Sequence, residues 1–227
     1  MFAFVAFVVA VLDLSAQENS SAFILAKDGV VVDYAISAKL AMSKKSKLVG
    51  YGRLTVSNIV EHDGKTEILY TFLGLDTKKK PLAFNSEFQP KIILEDGAIR
   101  YDIDPLMNGG GYITAHEGFA FVIPATLNVG DNVETGVVKE RVQFPMSPEV
   151  ENIIRYEEFT VCSEEDIATE AGIYHCYKLE GVLNGTFQTV PLKNTKYAIW
   201  FSRKIGIVKI ETDYYSESVI IDNVAGF

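Results

Sequence analysis

From residue 29 to residue 224 the chain repeats one local pattern. Apolar and polar residues alternate over a strand length, and a turn of Gly, Asp, Asn or Pro closes each run. Val32, Tyr34, Ile36, Ala38, Leu40 and Met42 alternate with smaller or polar neighbours, which is the period of a half-buried strand. Leu54 and Val56 repeat it, and Ile59 continues after a phase slip. Residues 68–73, 84–94, 98–103, 133–144, 153–162, 173–179, 197–201, 205–210 and 214–224 read as further strands, the second interrupted by Pro90. Asp63-Gly64 and Asp96-Gly97 have hairpin-turn chemistry, because Gly accepts positive φ. Leu183-Asn184-Gly185-Thr186 reads as another turn, and Ser202-Arg203-Lys204 joins a further hairpin. No stretch holds three convincing turns of amphipathic helix; residues 107–117 and 148–156 leave room for a short one.

Many short strands with Gly and Asp turns predict an all-β fold, an antiparallel meander closed or nearly closed into a β-barrel, with few or no long helices. Closure also removes exposed edges, a need for any exported monomer. Pro145-Met146-Ser147-Pro148 interrupts the pattern, but strands run up to it from both sides, so residues 17–227 read as one barrel-like domain. Residues 1–16 read as a signal peptide: an apolar run from Met1 to Leu12, too short to span a bilayer, then Asp13-Leu14-Ser15-Ala16 with a small-residue end. No Lys or Arg precedes the run, a departure from the usual signal pattern. The expected localisation is the periplasm or outside the cell, with no transmembrane span in the mature chain.

Net charge is −9, and removing residues 1–16 takes away Asp13 and no base, leaving −8. Nucleic-acid binding needs a basic footprint, so this balance argues against it. The three lysines of Asp76-Thr77-Lys78-Lys79-Lys80 read as a solvated loop.

Catalytic constellations are scarce. The three histidines, His62, His116 and His175, lack ligand spacing with Cys or a carboxylate cluster, so no metal is expected. Gly109-Gly110-Gly111 leads into Tyr112-Ile113-Thr114, which reads as extended, so it lacks the helix start a phosphate cradle needs. His116 and Glu117 are adjacent beside that loop and offer acid–base work only if a distant acid or Ser joins them. Glu164, Glu165 and Asp166 read as a solvated link. The expectation is a protein without catalytic residues or cofactor.

Aromatic residues carry the remaining signal. Fourteen Phe and eleven Tyr spread along the strands, as core packing requires. A sharper reading lines a barrel with Phe84, Phe88, Phe119, Phe121, Phe187 and Trp200, of which Phe119, Phe121 and Trp200 are the candidate ligand-binding residues. Cys162 and Cys176 are the only cysteines. With Phe159 and Val161 inward on one strand and Tyr177 and Leu179 inward on the next, both thiols reach the same outer face of a hairpin. That permits a disulfide without requiring one.

The run Thr169-Glu170-Ala171-Gly172-Ile173-Tyr174-His175-Cys176-Tyr177-Lys178-Leu179 resembles the Thr-Pro-Ala-Gly-Thr-Phe-x-Cys-Tyr-Lys-Ile signature of TapB-like bacterial envelope proteins, which are exported proteins of unknown function. Trp200-Phe201-Ser202-Arg203-Lys204-Ile205-Gly206-Ile207-Val208-Lys209 resembles their Trp-Tyr-Ala-x-Gly-Val-Gly-Val-Val-Lys segment, and Leu127-Asn128-Val129-Gly130-Asp131 their Leu-x-Val-Gly-Asp turn. Glu170 replaces the proline, and Lys204 stands where a glycine is usual. The resemblance implies an exported barrel-like domain and carries over no catalytic residue. The expected function is the binding of an apolar or glycan ligand, or of an envelope partner. The alternative is a structural or assembly component of the envelope acting through protein–protein contacts.

Overall fold

Each Asp-Gly pair turns a hairpin with both residues at positive φ: 49° and 80° at Asp63-Gly64, 49° and 76° at Asp96-Gly97. The structure is a computed structural model and describes residues 23–39, 45–82, 89–102, 112–143, 148–214 and 217–226. The expected signal peptide, the triple glycine, Phe84 and Phe88 lie outside the described residues. The strands are β1 (Val31–Ala38), β2 (Lys47–His62), β3 (Lys65–Leu75), β4 (Lys91–Glu95), β5 (Ala98–Tyr101), β6 (Tyr112–Gly118), β7 (Phe121–Ile123) and β8 (Glu134–Thr135). There follow β9 (Val137–Gln143), β10 (Val150–Thr169), β11 (Gly172–Phe187), β12 (Val190–Ser202), β13 (Gly206–Thr212) and β14 (Glu217–Ala225).

All fourteen belong to one antiparallel sheet in the order β6-β9-β10-β11-β12-β13-β14-β1-β2-β3-β4-β5-β7-β8. Two meanders, β1–β5 and β9–β14, meet where β14 pairs with β1. The far end then curls back onto β10. Asn132 bridges Thr160, Gly130 N–H donates to the Val161 carbonyl at 2.8 Å, and Val133 N–H donates to the Phe159 carbonyl at 2.9 Å. The wall is therefore a nearly closed barrel. β9 and β10 pair in register from Val142↔Val150, so no boundary divides the sheet at the proline segment.

Three local expectations need correction. The acidic residues 163–166 are not a link but part of β10, paired with β11 as Glu165↔Cys176 and Asp166↔His175. The alternation was hidden because residues 163–166 carry no apolar side chain on either face. Asn184-Gly185 does not turn the chain either; it lies within β11, and the turn falls at Gln188 and Thr189, both at positive φ. Gly185 is needed for close approach: a Cβ there would sit 1.8 Å from the Ile153 carbonyl oxygen. Residues 112–118 and 150–156, where a short helix had room, are strands, held by pairings such as His116↔Glu140 and Asn152↔Glu140. Conversely, the phase slip before Ile59 is a real register shift between Val56 and Asn58.

The interior is filled by aromatic rings. Tyr101 packs tilted against Phe121 with ring centres 4.9 Å apart, Phe121 meets Tyr156 at 6.1 Å, and Tyr156, Phe159 and Tyr197 pack mutually at 6.0–6.3 Å. All five are buried. They come from β5, β7, β10 and β12, so the same cluster that fills the core ties the closing end of the sheet to β10. Apolar burial of this kind is the main stabilising term, of order 25 cal/mol per Å² removed from water.

Candidate functional site

On the outer face of the C-terminal meander, β11, β12 and β13 align Lys178, Trp200 and Lys209 in one row. Both ammonium groups lie over the indole, at 5.0 Å and 4.2 Å from its centre. The indole N–H donates to Glu165 Oε1 at 3.0 Å. Two residues along each strand, Glu180 accepts from Lys178 and Glu211 from Lys209, both at 2.6 Å. The hydrogen bond from Lys178 holds the Glu180 carboxyl below its ordinary range and raises the lysine. The lysine stems cover the ring, leaving Trp200 4% exposed on a face that otherwise meets water. The two segments carrying the family likeness thus meet in a clasp that holds three strands together. The third segment has a structural task too: Asp131 accepts from Asn128 N–H at 2.8 Å, and its own carbonyl accepts from Val161 N–H at 2.9 Å where the barrel closes.

Phe119, Phe121 and Trp200 do not come together. Phe121 is fully buried in the core cluster. Phe119 is half-buried beneath the Arg100 guanidinium, 5.3 Å from its ring centre. Trp200 faces outward, because alternation along β12 sends Ile199 and Phe201 inward. Phe187 packs edge-on against Tyr214 at 5.4 Å.

Cys162 and Cys176 are separate free thiols, the first exposed and the second buried. Cys176 lies opposite Glu165, whereas Cys162 follows Val161, which is opposite Leu179. The two are thus three register places apart, roughly 10 Å along the ladder and beyond disulfide reach. The bridge the sequence permitted is therefore not formed. Burial, reinforced by the nearby Asp166 and Glu165, pushes the Cys176 thiol up to about 12.

His116 and Glu117 diverge. Glu117 is exposed and reaches Lys139 at 3.7 Å. The His116 ring is within 3.2 Å of the Gly118 carbonyl and close enough to Asp102 to feel its charge. Burial holds the imidazole below its ordinary value and raises Asp102, which also pairs with Arg100 at 2.9 Å. Sequence reading did not single out Asp102, which no local spacing connects to His116. His175 sits between Asp166 at 3.0 Å and Glu164 at 3.5 Å, and those carboxylates raise its pKa. Among the described residues no group of three His, Cys, Asp or Glu side chains could hold a metal ion.

Two of the concavities on the described wall flank the C-terminal meander. One, of about 640 Å³, runs past Glu158, Glu180, Lys196, Glu211 and Asp213, but Glu180 and Glu211 are already bound to lysines. The other, of about 490 Å³, is a notch above the β12–β13 turn. β11 overhangs that turn by residues 172–176, since its pairing with β12 begins at Tyr177↔Phe201. β14 overhangs it from the other side, since its pairing with β13 ends at Lys209↔Ile220 while β14 continues to Ala225. Lys204 lies between, and its carbonyl accepts from Ile24 N–H at 2.8 Å.

Together these features define a nearly closed all-β wall with a core packed among the described residues and an outer face clasped by its own motif residues. A family model described as DUF3108-like matches residues 37–219, and the chain belongs to that family. A solved structure from Bacteroides fragilis, of a protein predicted to be exported and assigned a YmcC-like fold, is similar over 88% of this chain and 97% of its own, with a TM-score of 0.69 at 16% identity. A structure from Parabacteroides distasonis, of a predicted lipoprotein, is similar over 88% and 96%, with a TM-score of 0.67 at 12% identity. At these identities the likeness is one of fold. No curated protein matches the chain.

Proposed function

We propose that this is an exported, non-catalytic envelope protein that acts by binding a protein partner on its outer wall. The observation that carries the reading is where the motif residues go. Lys178, Trp200, Lys209 and Asp131 all hold the wall together, and the described interior is filled by aromatic side chains. That leaves the outer surface and the strand ends for recognition. Export is supported by the apolar run and small-residue end at residues 1–16, and by the exported and lipoprotein assignments of the two similar structures. The narrower kinship with TapB-like proteins rests on the three sequence segments already quoted.

A ligand-binding reading has one observation in its favour. Phe72, opposite the fully buried Leu54 across β2 and β3, is itself only half-buried. An apolar or glycan ligand would meet the barrel mouth there. Cross-linking in intact cells, followed by purification, separates the two. The partner reading expects one defined protein adduct and no small molecule by native mass spectrometry. A clean monomer without adducts, or a co-purifying lipid or glycan, contradicts it.

A further inference from the structure

We propose that the notch above the β12–β13 turn is a strand-addition site, where an extended segment of a partner protein pairs with the edge of β11 that no described strand occupies, over residues 172–176. The inference rests on the partner-binding reading and gives that reading a place and a chemistry.

On one edge, residues 172–176 pair with β10, from Thr169↔Gly172 to Glu165↔Cys176. On the other edge, no strand among the described residues pairs with them, and no backbone hydrogen bond joins them there to a described residue. The facing wall is similar: residues 221–225 of β14 pair toward β1 and not toward β13. Backbone donors and acceptors in a cleft need partners. Successive groups at strand spacing are met best by another extended backbone. The flanking strands are three inter-strand steps apart, roughly 14 Å at the usual spacing, so an extended segment fits between them.

Protected edges carry lysine, proline or a bulge. The described edge strand β6 has a register shift between Ile113 and Ala115. The β11 edge, Gly172-Ile173-Tyr174-His175-Cys176, has none of these devices toward the notch. Ile173 is 74% exposed, the most exposed large apolar residue among those described. Ile24, Tyr174 and Val224 line the cleft, and Glu170 and Lys204 balance in charge. The segment that fits is therefore extended and near neutral, with apolar side chains at alternate positions.

The test pans a display library of random eight-residue peptides on the purified protein. Three results are expected together. The enriched peptides carry alternating apolar residues, they slow hydrogen exchange at amides within 172–176, and they bind at least tenfold more weakly to an Ile173→Lys variant. That variant folds normally, because the side chain it replaces is exposed, but places a lysine on the edge. No enrichment, or peptides that leave those amides unchanged, overturns the proposal. So does slow exchange at the edge in the free protein, which means that residues before Phe23 or a second copy already fill it; sedimentation tells these two apart. A partner adduct that persists in cells when the peptide test fails would overturn this site while leaving the partner reading in place.

Discussion

The most tightly specified single residue is Asp33, 2% exposed yet charged. Arg53, its register partner across β1 and β2, grips it with Nε to Oδ1 at 2.6 Å and a second bond to Oδ2 at 2.9 Å. Removing the arginine leaves a buried carboxylate without its fork of donors. Arg53→Ala should cost roughly 2 kcal/mol in chemical denaturation, less than a fully buried pair because the arginine side chain is partly in water. His175 gives a pH signature. Asp166 and Glu164 raise its folded pKa above the usual 6.5. The contribution of this contact to stability is therefore fully present below pH 6.5 and is lost as pH rises through the folded value. Imidazole chemical shifts should titrate above those of a Asp166→Asn, Glu164→Gln variant. Cys176, with its thiol pushed up to about 12, should resist alkylation at pH 8 in the native state and react on unfolding. At this scale the sequence was partly legible. Alternation placed both cysteines on an outer face, but the register set by the turn between Thr169 and Gly172 puts Cys176 opposite Glu165, three residues from Cys162.

At the scale of elements, rings lie over glycines. A Cβ on Gly181 would meet the Phe159 ring at 2.3 Å and the Glu157 carbonyl oxygen at 2.7 Å. A Cβ on Gly52 would meet the Phe72 ring at 2.2 Å. Phe159 is locked in the core, whereas Phe72 is half-exposed and can swing aside. Gly181→Ala should therefore cost about 3 kcal/mol and Gly52→Ala about 1, read from urea midpoints at unchanged slope. Equal losses would contradict the difference in packing. Hairpins were readable where turn chemistry was local, at Asp63-Gly64 and Asp96-Gly97. They were misread where Gly served another purpose. Asn184-Gly185 looked like a turn because a bulge and a close approach demand the same residue as a turn does, while Gln188 and Thr189 adopt positive φ without a glycine to mark it. Asn152, reaching across from β10, accepts from Gln188 N–H at 2.8 Å and fixes that turn from a distance. Tertiary contacts of this kind leave no local trace.

For the whole molecule, alternation was enough to predict a nearly closed all-β wall, because each run needs one face against a core. It could not predict whether the inside is packed, since a core and a lined pocket share one composition. The candidate site residues failed to converge for the same reason: Phe121 joined the core, and Trp200 the outer clasp. Closure itself depends on contacts between β10 and the chain around Asn132, 28 residues earlier. The direct measurement is a cross-link at that seam, in which Asn132→Cys and Thr160→Cys are introduced together with Cys162→Ser. Bridge partners lie about 4.5–5.5 Å apart at Cα, inside the range a disulfide spans. The account predicts near-complete disulfide formation under mild oxidation without loss of native structure, and a rise in stability of about 2–4 kcal/mol over the reduced form. Two thiols that stay free and reactive in the folded protein would show an open sheet and contradict it.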